Sequence, residues 1–315
     1  MHPYTEKIRA AAKRLLSEKS VAGVMGFRKG TIPFMNEPFL AKTPEQADLL
    51  VWDGNCGINL ANYLPKRTGN VAIVAKGCDS RNIVVHLLEN QINREQLYIL
   101  GAPCHGMTDK RRIQEELNPR EVLQAEDLGD KVRVSGRDFE QTFDRAAYLQ
   151  QNCAICTHRN PVIYDELLGE PVQEQQVDRY ADITLIESML PDEKRRHFEE
   201  LLEPCIRCYA CRNACPVCYC PTCFVDEAKP QWVGKTTDPT DVRTFHFLRA
   251  FHVAGRCTDC GSCERACPVG IKVREFTKKL EKEVKELYDY EAGTVQDQRP
   301  PLDTYKPDDP EPFLG

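Results

Sequence analysis

Apolar and polar positions along the first 150 residues follow two different periods. EKIRAAAKRLL (6–16) repeats its apolar residues at helical spacing among good helix formers, whereas ADLLVWDG (47–54) reads as a short buried strand. NVAIVAKG (70–77) reads as a strand closed by glycine, SRNIVVHLLENQ (80–91) as a helix, QLYILGAP (96–103) as a second strand and MTDKRRIQEEL (107–117) as a second helix. Strands and helices alternating at this period predict a parallel sheet with helices packed on it. Sites in such sheets form at the carboxyl ends of the strands. Cys78 and Cys104 each follow a predicted strand directly, in AKGCDS and GAPCHG, so two adjacent parallel strands would present both thiols at one edge.

Beyond residue 150 the pattern changes. A polar bridge over 173–203 contains the helical stretch DEKRRHFEELLE, RTFHFLRAFHVAG (243–255) reads as a helix, and IKVREFTKKLEKEVKELYDY (271–290) as a charged one. The tail QRPPLDTYKPDDPEPFLG (298–315) cannot build a core of its own, which leaves a disordered end or an arm laid across a partner. The expected architecture is an α/β N-terminal domain over 1–172, with a parallel or mixed sheet and flanking helices. The helical bridge (173–203), an α+β bacterial-ferredoxin-like domain (204–275) and a C-terminal helix with extended tail (276–315) complete it.

Composition narrows the function classes. In 315 residues, 41% hydrophobic content is enough to bury a core without disulfides. Forty-two basic against 48 acidic residues leave a net charge of −6, the wrong sign for nucleic-acid binding or for a polybasic membrane anchor. No apolar run reaches secretory or membrane-spanning length, so a cytoplasmic chain without membrane insertion is expected. Sixteen cysteines are too many for an ordinary cytosolic protein and too few for a small disulfide scaffold, where about 8–10% is usual. In a reducing compartment such thiols stay available for metal.

Eleven of the sixteen lie between Cys205 and Pro268. Cys205, Cys208, Cys211 and Cys215 followed by Pro216 fit C-x2-C-x2-C-x3-C-P, and Cys257, Cys260, Cys263 and Cys267 followed by Pro268 repeat it 52 residues later. In this bacterial-ferredoxin pattern three thiolates hold one cluster and the fourth ligates the other. The expected sets are Cys205, Cys208, Cys211 with Cys267, and Cys257, Cys260, Cys263 with Cys215. Zinc ribbons also use paired C-x2-C motifs, but they need neither a four-cysteine run nor its terminal proline. Cys78, Cys104, Cys153 and Cys156 form a third candidate set, for which buried structural cysteines are the alternative.

VAIVAKGCDSRNIVVHLLENQINREQLYILGAPCHG followed by QNCAICTHRNP resembles the beta subunits of coenzyme F-420-dependent hydrogenase and formate dehydrogenase, and CIRCYACRNACPVCYCPTC with CTDCGSCERACPVGI resembles the C-terminal dicluster half of the formate dehydrogenase members. The likeness covers roughly 50–165 and 203–275. It implies a third 4Fe-4S cluster on Cys78, Cys104, Cys153 and Cys156. It also implies a formate dehydrogenase or hydrogenase catalytic subunit and a heterodisulfide-reductase-like flavoprotein as partners. Two segments depart from the family. AGVMGFRKGTIPFM stands where a Gly-Gly-x-x-Thr segment is expected, and LLGEPV shortens a glycine-rich region, which argues against bound FAD or deazaflavin.

Cys56, Cys218, Cys220 and Cys223 remain, enough for a fourth cluster or for spare thiols around the dicluster. His105 and His158 flank candidate ligands, and His246 and His252 lie on the helix before the second motif. Phe245, Phe247, Leu248 and Phe251 are expected to pack over the clusters, and Arg207 and Arg212 to offset cluster charge. The chain shows no nucleophile with an adjacent base, no Walker loop and no G-x-G-x-x-G. The reading is an iron-sulfur subunit relaying single electrons within an anaerobic oxidoreductase complex. The alternative is a flavin-containing subunit exchanging hydride with coenzyme F-420 or NAD(P)H.

Overall fold

The computed structural model describes residues 3–65 and 67–301, so residues 302–315 of the proline- and aspartate-rich tail lie outside the described residues. Contacts divide the chain into two compact units, Met1–Arg81 with Asn90–Val177, and Asn82–Glu89 with Asp178–Gly315.

The first unit opens with helix α1 (Pro3–Ser17), whose Ile8, Ala11, Ala12 and Leu15 are buried. Strands β1 (Val24–Lys29) and β2 (Asn36–Ala41) form an antiparallel hairpin, and β3 (Leu50–Val51) pairs antiparallel with β1. Then come β4 (Val71–Ala75), α2 (Gly77–Leu88), β5 (Leu97–Gly101) and α3 (Lys110–Leu117). Strands β6 (Gln124–Asp127), β7 (Lys131–Ser135) and β8 (Glu140–Asp144) make a separate antiparallel meander, followed by α4 (Gln151–Ala154) and β9 (Glu166–Leu167). The main sheet runs β2-β1-β4-β5-β9, with β1, β4, β5 and β9 mutually parallel in sequence of pairing. It is thus mixed, as a hairpin edge on a parallel centre.

Strand β4 is buried along its whole length, the signature of a parallel strand covered on both faces. α1 packs there with Trp52, Leu50, Ala72, Val74 and Leu100 in one core cluster. Register Ala75↔Gly101 aligns the ends of β4 and β5, so the segments leading to Cys78 and Cys104 leave from the same edge. Between 47 and 54 the strand expected is only two residues long, because Gln46–Leu49 turn as a 3-10 helix and leave Leu49 half exposed.

The second unit takes in the later part of α2 together with α5 (Ala181–Ser188), α6 (Pro191–Leu202), α7 (Ala210–Asn213), α8 (Pro239–His252), α9 (Ser262–Ala266) and α10 (Arg274–Tyr288). Its regular elements among the described residues are helices; the strands a ferredoxin would place beside its cluster loops are replaced by helices and turns. Asp238 caps α8 by accepting from the Thr240 N–H at 2.8 Å, and Pro239 opens the helix where its missing N–H costs nothing. α10 turns charged residues inward, each paired: Arg274 with Asp259 at 2.5 Å, Lys278 with Asp182 at 2.9 Å, and Glu281 with Arg179 at 2.6 Å. Buried charges persist only when compensated in this way.

Candidate iron-sulfur centres

The 52-residue repeat in the sequence is also a repeat of backbone shape. In the first loop Arg207 and Tyr209 take left-handed φ of 52° and 59°, and in the second Asp259 and Gly261 take 56° and 72°. Each pair leads into a short helix carrying the third cysteine, α7 for Cys211 and α9 for Cys263. Three of these four residues are not glycine and bear a cost of order 1–3 kcal/mol each in that region. Left-handed residues in a tight turn gather successive N–H groups into a concavity that suits an anionic iron-sulfur cluster. The loops therefore fit the group that their sequence implies.

Packing interlaces the two motifs. Cys211 and Cys267 are buried in one apolar cluster with Val242, Phe245, Ile271 and Val273, and Cys205, Cys223 and Cys263 pack against it. Cys215, Cys218 and Cys257 pack against another, built from Val85, Val217, Val253 and Val284. Burial is the main force raising the Cys205, Cys211, Cys257 and Cys263 thiols above their ordinary range. Among the cysteines that act on them are Cys267 and Cys208 on Cys205, Cys267 and Cys205 on Cys211, Cys215 on Cys257, and Cys215 and Cys260 on Cys263, beside Arg249 on Cys211 and Cys263, Glu281 and Asp259 on Cys257 and Glu264 on Cys263. The Cys218 thiol donates to Cys215, which makes Cys215 the more acidic of that pair. Thiols held protonated by burial must shed protons to bind iron, so loading these sites releases acid.

His246 stands 3.4 Å from the Cys205 sulfur through Nε2, with its pKa lowered to about 4 by burial and then by Arg249 and Arg207. A neutral imidazole in its Nε2–H tautomer would donate to this sulfur. Arg207 spends its terminal nitrogens on the Gly234 and Thr236 carbonyls and the Tyr209 hydroxyl, and Arg212 pairs with Asp226 at 2.9 Å. Phe245 and Leu248 pack against the cysteine-bearing core, but Phe247 and Phe251 do not. Those two are more than half exposed and line an apolar groove with Phe198 and Phe276. His252 meets Phe224 edge-on, and His105 is exposed.

In the first unit three segments converge around Cys78, Cys104, Cys153 and Cys156. The Cys104 N–H donates to the Arg159 carbonyl at 3.0 Å. Gly77, just before Cys78, lies so close to the loop after Cys156 that an added Cβ would meet the His158 carbonyl oxygen at 2.2 Å. Gly106, at φ +94°, leaves only 3.3 Å between such a Cβ and that of Cys153. Gln175 fastens the C-x2-C turn by donating to the carbonyls of Cys153 and Cys156 at 3.1 and 2.9 Å. His158 lies 3.5 Å from Arg81 and 3.1 Å from the Thr157 hydroxyl. Lys76 supplies a buried cation beside the set. Burial on its own would lower its pKa, and Asp79, Cys78 and Cys104 outweigh that and raise it.

The last four cysteines are divided between the units, Cys56 in the first and Cys218, Cys220 and Cys223 in the second. Cys56 is fully buried, accepting from Asn36 Nδ2 at 3.4 Å and the Asp53 N–H at 3.5 Å, and burial pushes its thiol up to about 12. Cys220 is exposed. None of the sixteen is in a disulfide. Among the described residues no three His, Cys, Asp or Glu side chains converge as around a single metal ion.

Residues 201–271 match the family described as a 4Fe-4S dicluster domain. The chain carries two 4Fe-4S clusters in that domain. It is similar along nearly its whole length to two curated proteins. One is "F420-dependent formate dehydrogenase subunit beta" of Methanocaldococcus jannaschii, 26% identical over 94% of this chain and 93% of the relative. The other is "F420-dependent formate dehydrogenase 1 subunit beta" of Methanococcus maripaludis, 26% identical over 93% and 92%. The likeness read from the motifs thus extends beyond the segments that first suggested it. A solved structure, the xenon-derivatized F420-reducing NiFe hydrogenase complex from Methanosarcina barkeri, aligns at 16% identity and a TM-score of 0.38, covering 50% of this chain and 62% of that one. The dicluster chain is an iron-sulfur electron-transfer protein of the oxidoreductase-subunit type. Among the described residues no helix is long and apolar enough to cross a membrane.

Two residues of these centres, Lys76 and Arg249, escaped the sequence reading. Both carried a signal: Lys76 is the one charge between a buried strand and its cysteine, and Arg249 falls in the series Val242, Phe245, His246, Arg249 on the buried face of α8.

Proposed function

We propose that the chain wires single electrons through three 4Fe-4S clusters inside a formate dehydrogenase- or hydrogenase-class complex. When bound, such clusters exchange one electron at a time, at potentials set by charge, hydrogen bonds to sulfur and exposure. Two clusters are assigned to Cys205, Cys208, Cys211, Cys267 and to Cys257, Cys260, Cys263, Cys215, and the third to Cys78, Cys104, Cys153, Cys156. The observation that carries the reading is that Cys267 packs with Cys205 and Cys211 of the first motif, and Cys215 with Cys257 of the second. The converging segments around Cys78 and Cys104 support the third cluster. Cys56, Cys218, Cys220 and Cys223 offer ligands for a fourth.

The proposed partners are a formate dehydrogenase or hydrogenase catalytic subunit and a heterodisulfide-reductase-like flavoprotein. A second reading is favoured by the relatives' names: a flavin held by this chain would exchange hydride with the deazaflavin and feed the clusters. Anaerobic purification from the native host, with iron, sulfide and flavin analysis and mass spectrometry of co-purifying chains, separates the two. About 12 iron atoms per chain with equal sulfide fit three clusters, and about 16 fit four. Zinc without sulfide would overturn the assignment, and one FAD per chain would install the second reading.

A further inference from the structure

We propose that Arg249 sets the reduction potentials of the paired clusters, one cation shared between the two cysteine motifs. The inference rests on the reading of residues 201–271 as a 4Fe-4S dicluster. Arg249 is only 4% exposed. Among the described residues its hydrogen bond runs from Nη2 to the Cys211 carbonyl at 3.1 Å, and its buried Nε–H has no partner. Among the described residues no carboxylate pairs with it, in contrast to the buried Arg274, which is held by Asp259 and Glu264. Of the cations the sequence suggested, Arg207 has its terminal nitrogens on the Gly234 and Thr236 carbonyls and the Tyr209 hydroxyl, and Arg212 is paired with Asp226.

A buried guanidinium without a counter-ion is costly, and it persists where something anionic compensates it. The groups that do so here are sulfur. Burial would lower the Arg249 pKa, yet Cys215, Cys218, Cys263 and Cys211 together raise it. Cys211 comes from the first motif, Cys263 from the second, and Cys215 is the thiolate that crosses from the first to the second. Reduction adds one negative charge to a cluster, so a fixed cation and an N–H donor favour the reduced state and raise the potential. α8 lays the buried face that carries Val242, Phe245 and Arg249 on the apolar cluster holding Cys211, Cys267 and Cys263, ligands of both assigned sets, so both potentials depend on Arg249. Arg249 does this as a positioning residue, through charge and donors aimed at the ligands rather than by ligation.

The test uses the full chain, loaded anaerobically, with iron and sulfide analysis and an EPR-monitored redox titration. Arg249→Gln should retain the dicluster iron and make both dicluster couples harder to reduce by at least tenfold in the one-electron equilibrium, which is 59 mV. Arg249→Lys should lie between it and the wild type. Full iron content with unchanged midpoints in Arg249→Gln would overturn the proposal while leaving the dicluster reading intact. Wild-type protein holding zinc without sulfide would instead defeat that reading. Should Arg249→Gln fail to load, 15N-arginine labelling decides. A nitrogen hyperfine coupling on the reduced dicluster signal of the wild type that is lost in Arg249→Lys supports the proposal. Its absence from the wild type, or its persistence in Arg249→Lys, overturns it.

Discussion

Lys76 and Asp79 form an ion pair of 2.8 Å with side chains 2% and 0% exposed. Asp79 is satisfied on every side, since its carboxylate also accepts the N–H groups of Leu60 and Lys76, each at 2.9 Å. Lys76 in turn donates to the Ile58 carbonyl and lies over the rings of Phe27 and Trp52. Removing one partner of a buried pair leaves the other charge stranded. Lys76→Met should therefore destabilise the first unit by about 3–5 kcal/mol. Denaturant unfolding of the iron-free chain, followed by Trp52-region fluorescence, measures this; a loss under about 1 kcal/mol would mean that the pair is replaceable.

Gly77 tests the third cluster without touching a ligand. Its missing Cβ lets the His158 carbonyl approach, and that obstacle is backbone, which cannot swing aside. Gly77→Ala should push the 156–160 loop away from Cys78 and lower the iron content by about four atoms per chain, one cubane's worth, while the dicluster EPR signals stay. Unchanged iron would show that the loop yields or that these thiols hold no cluster.

Crossed ligation predicts which cysteine variants look alike. Cys205→Ser and Cys267→Ser should perturb the same EPR signal although 62 residues separate them, and Cys215→Ser should group with Cys257→Ser. Pairing by motif, with Cys205 and Cys215 alike, would contradict the packing described above.

His86 makes the second unit sensitive to acid. Its Nε2 lies 2.8 Å from the Pro216 carbonyl, its buried Nδ1 has no partner among the described residues, and Tyr219 stands edge-on to the ring. Burial lowers its pKa from 6.5, the Pro216 carbonyl and Glu89 act the other way, and Arg256 adds to the lowering. Below 6.5 the unfolded chain takes up a proton that the folded one refuses, so this contribution is complete above 6.5 and shrinks as pH falls through it toward the depressed folded value. His86→Gln should flatten the dependence of stability on pH between about 7.5 and 5.5, in steps of up to 1.36 kcal/mol per unit of pKa difference. An equal slope in both proteins would remove His86 from the account.

Parts of this molecule were legible because local pattern and final environment agree. VAIVA is apolar throughout and becomes the buried β4, and the repeated cysteine spacing becomes a repeated backbone turn. The hairpin of β1 and β2 was not legible, since Gly26, Arg28, Lys29 and Pro38 interrupt the alternation that marks a strand. The meander hid for the opposite reason. Of its strand residues Val132, Val134 and Phe143 are buried and Ala125 packs beside them, and the charged residues around them read as loop. Arg249 hid because a cation on an apolar helix face has meaning only once the sulfurs across from it are known.

The last consequence concerns inheritance of the cluster-bearing half. Residues 82–89, about ninety positions upstream of Asp178, supply Val85 to its core, the His86 contact to Pro216, the Asn82 bond to Thr258 and the Glu89 carboxylate that receives Arg256 and Tyr219. A chain begun at Asp178 would leave Arg256 without its carboxylate and open a gap beside Val217 and Val253. The dicluster half is therefore not a cassette that can be cut out or grafted along the chain. Any rearrangement that moved it would have to carry residues 82–89 along with it.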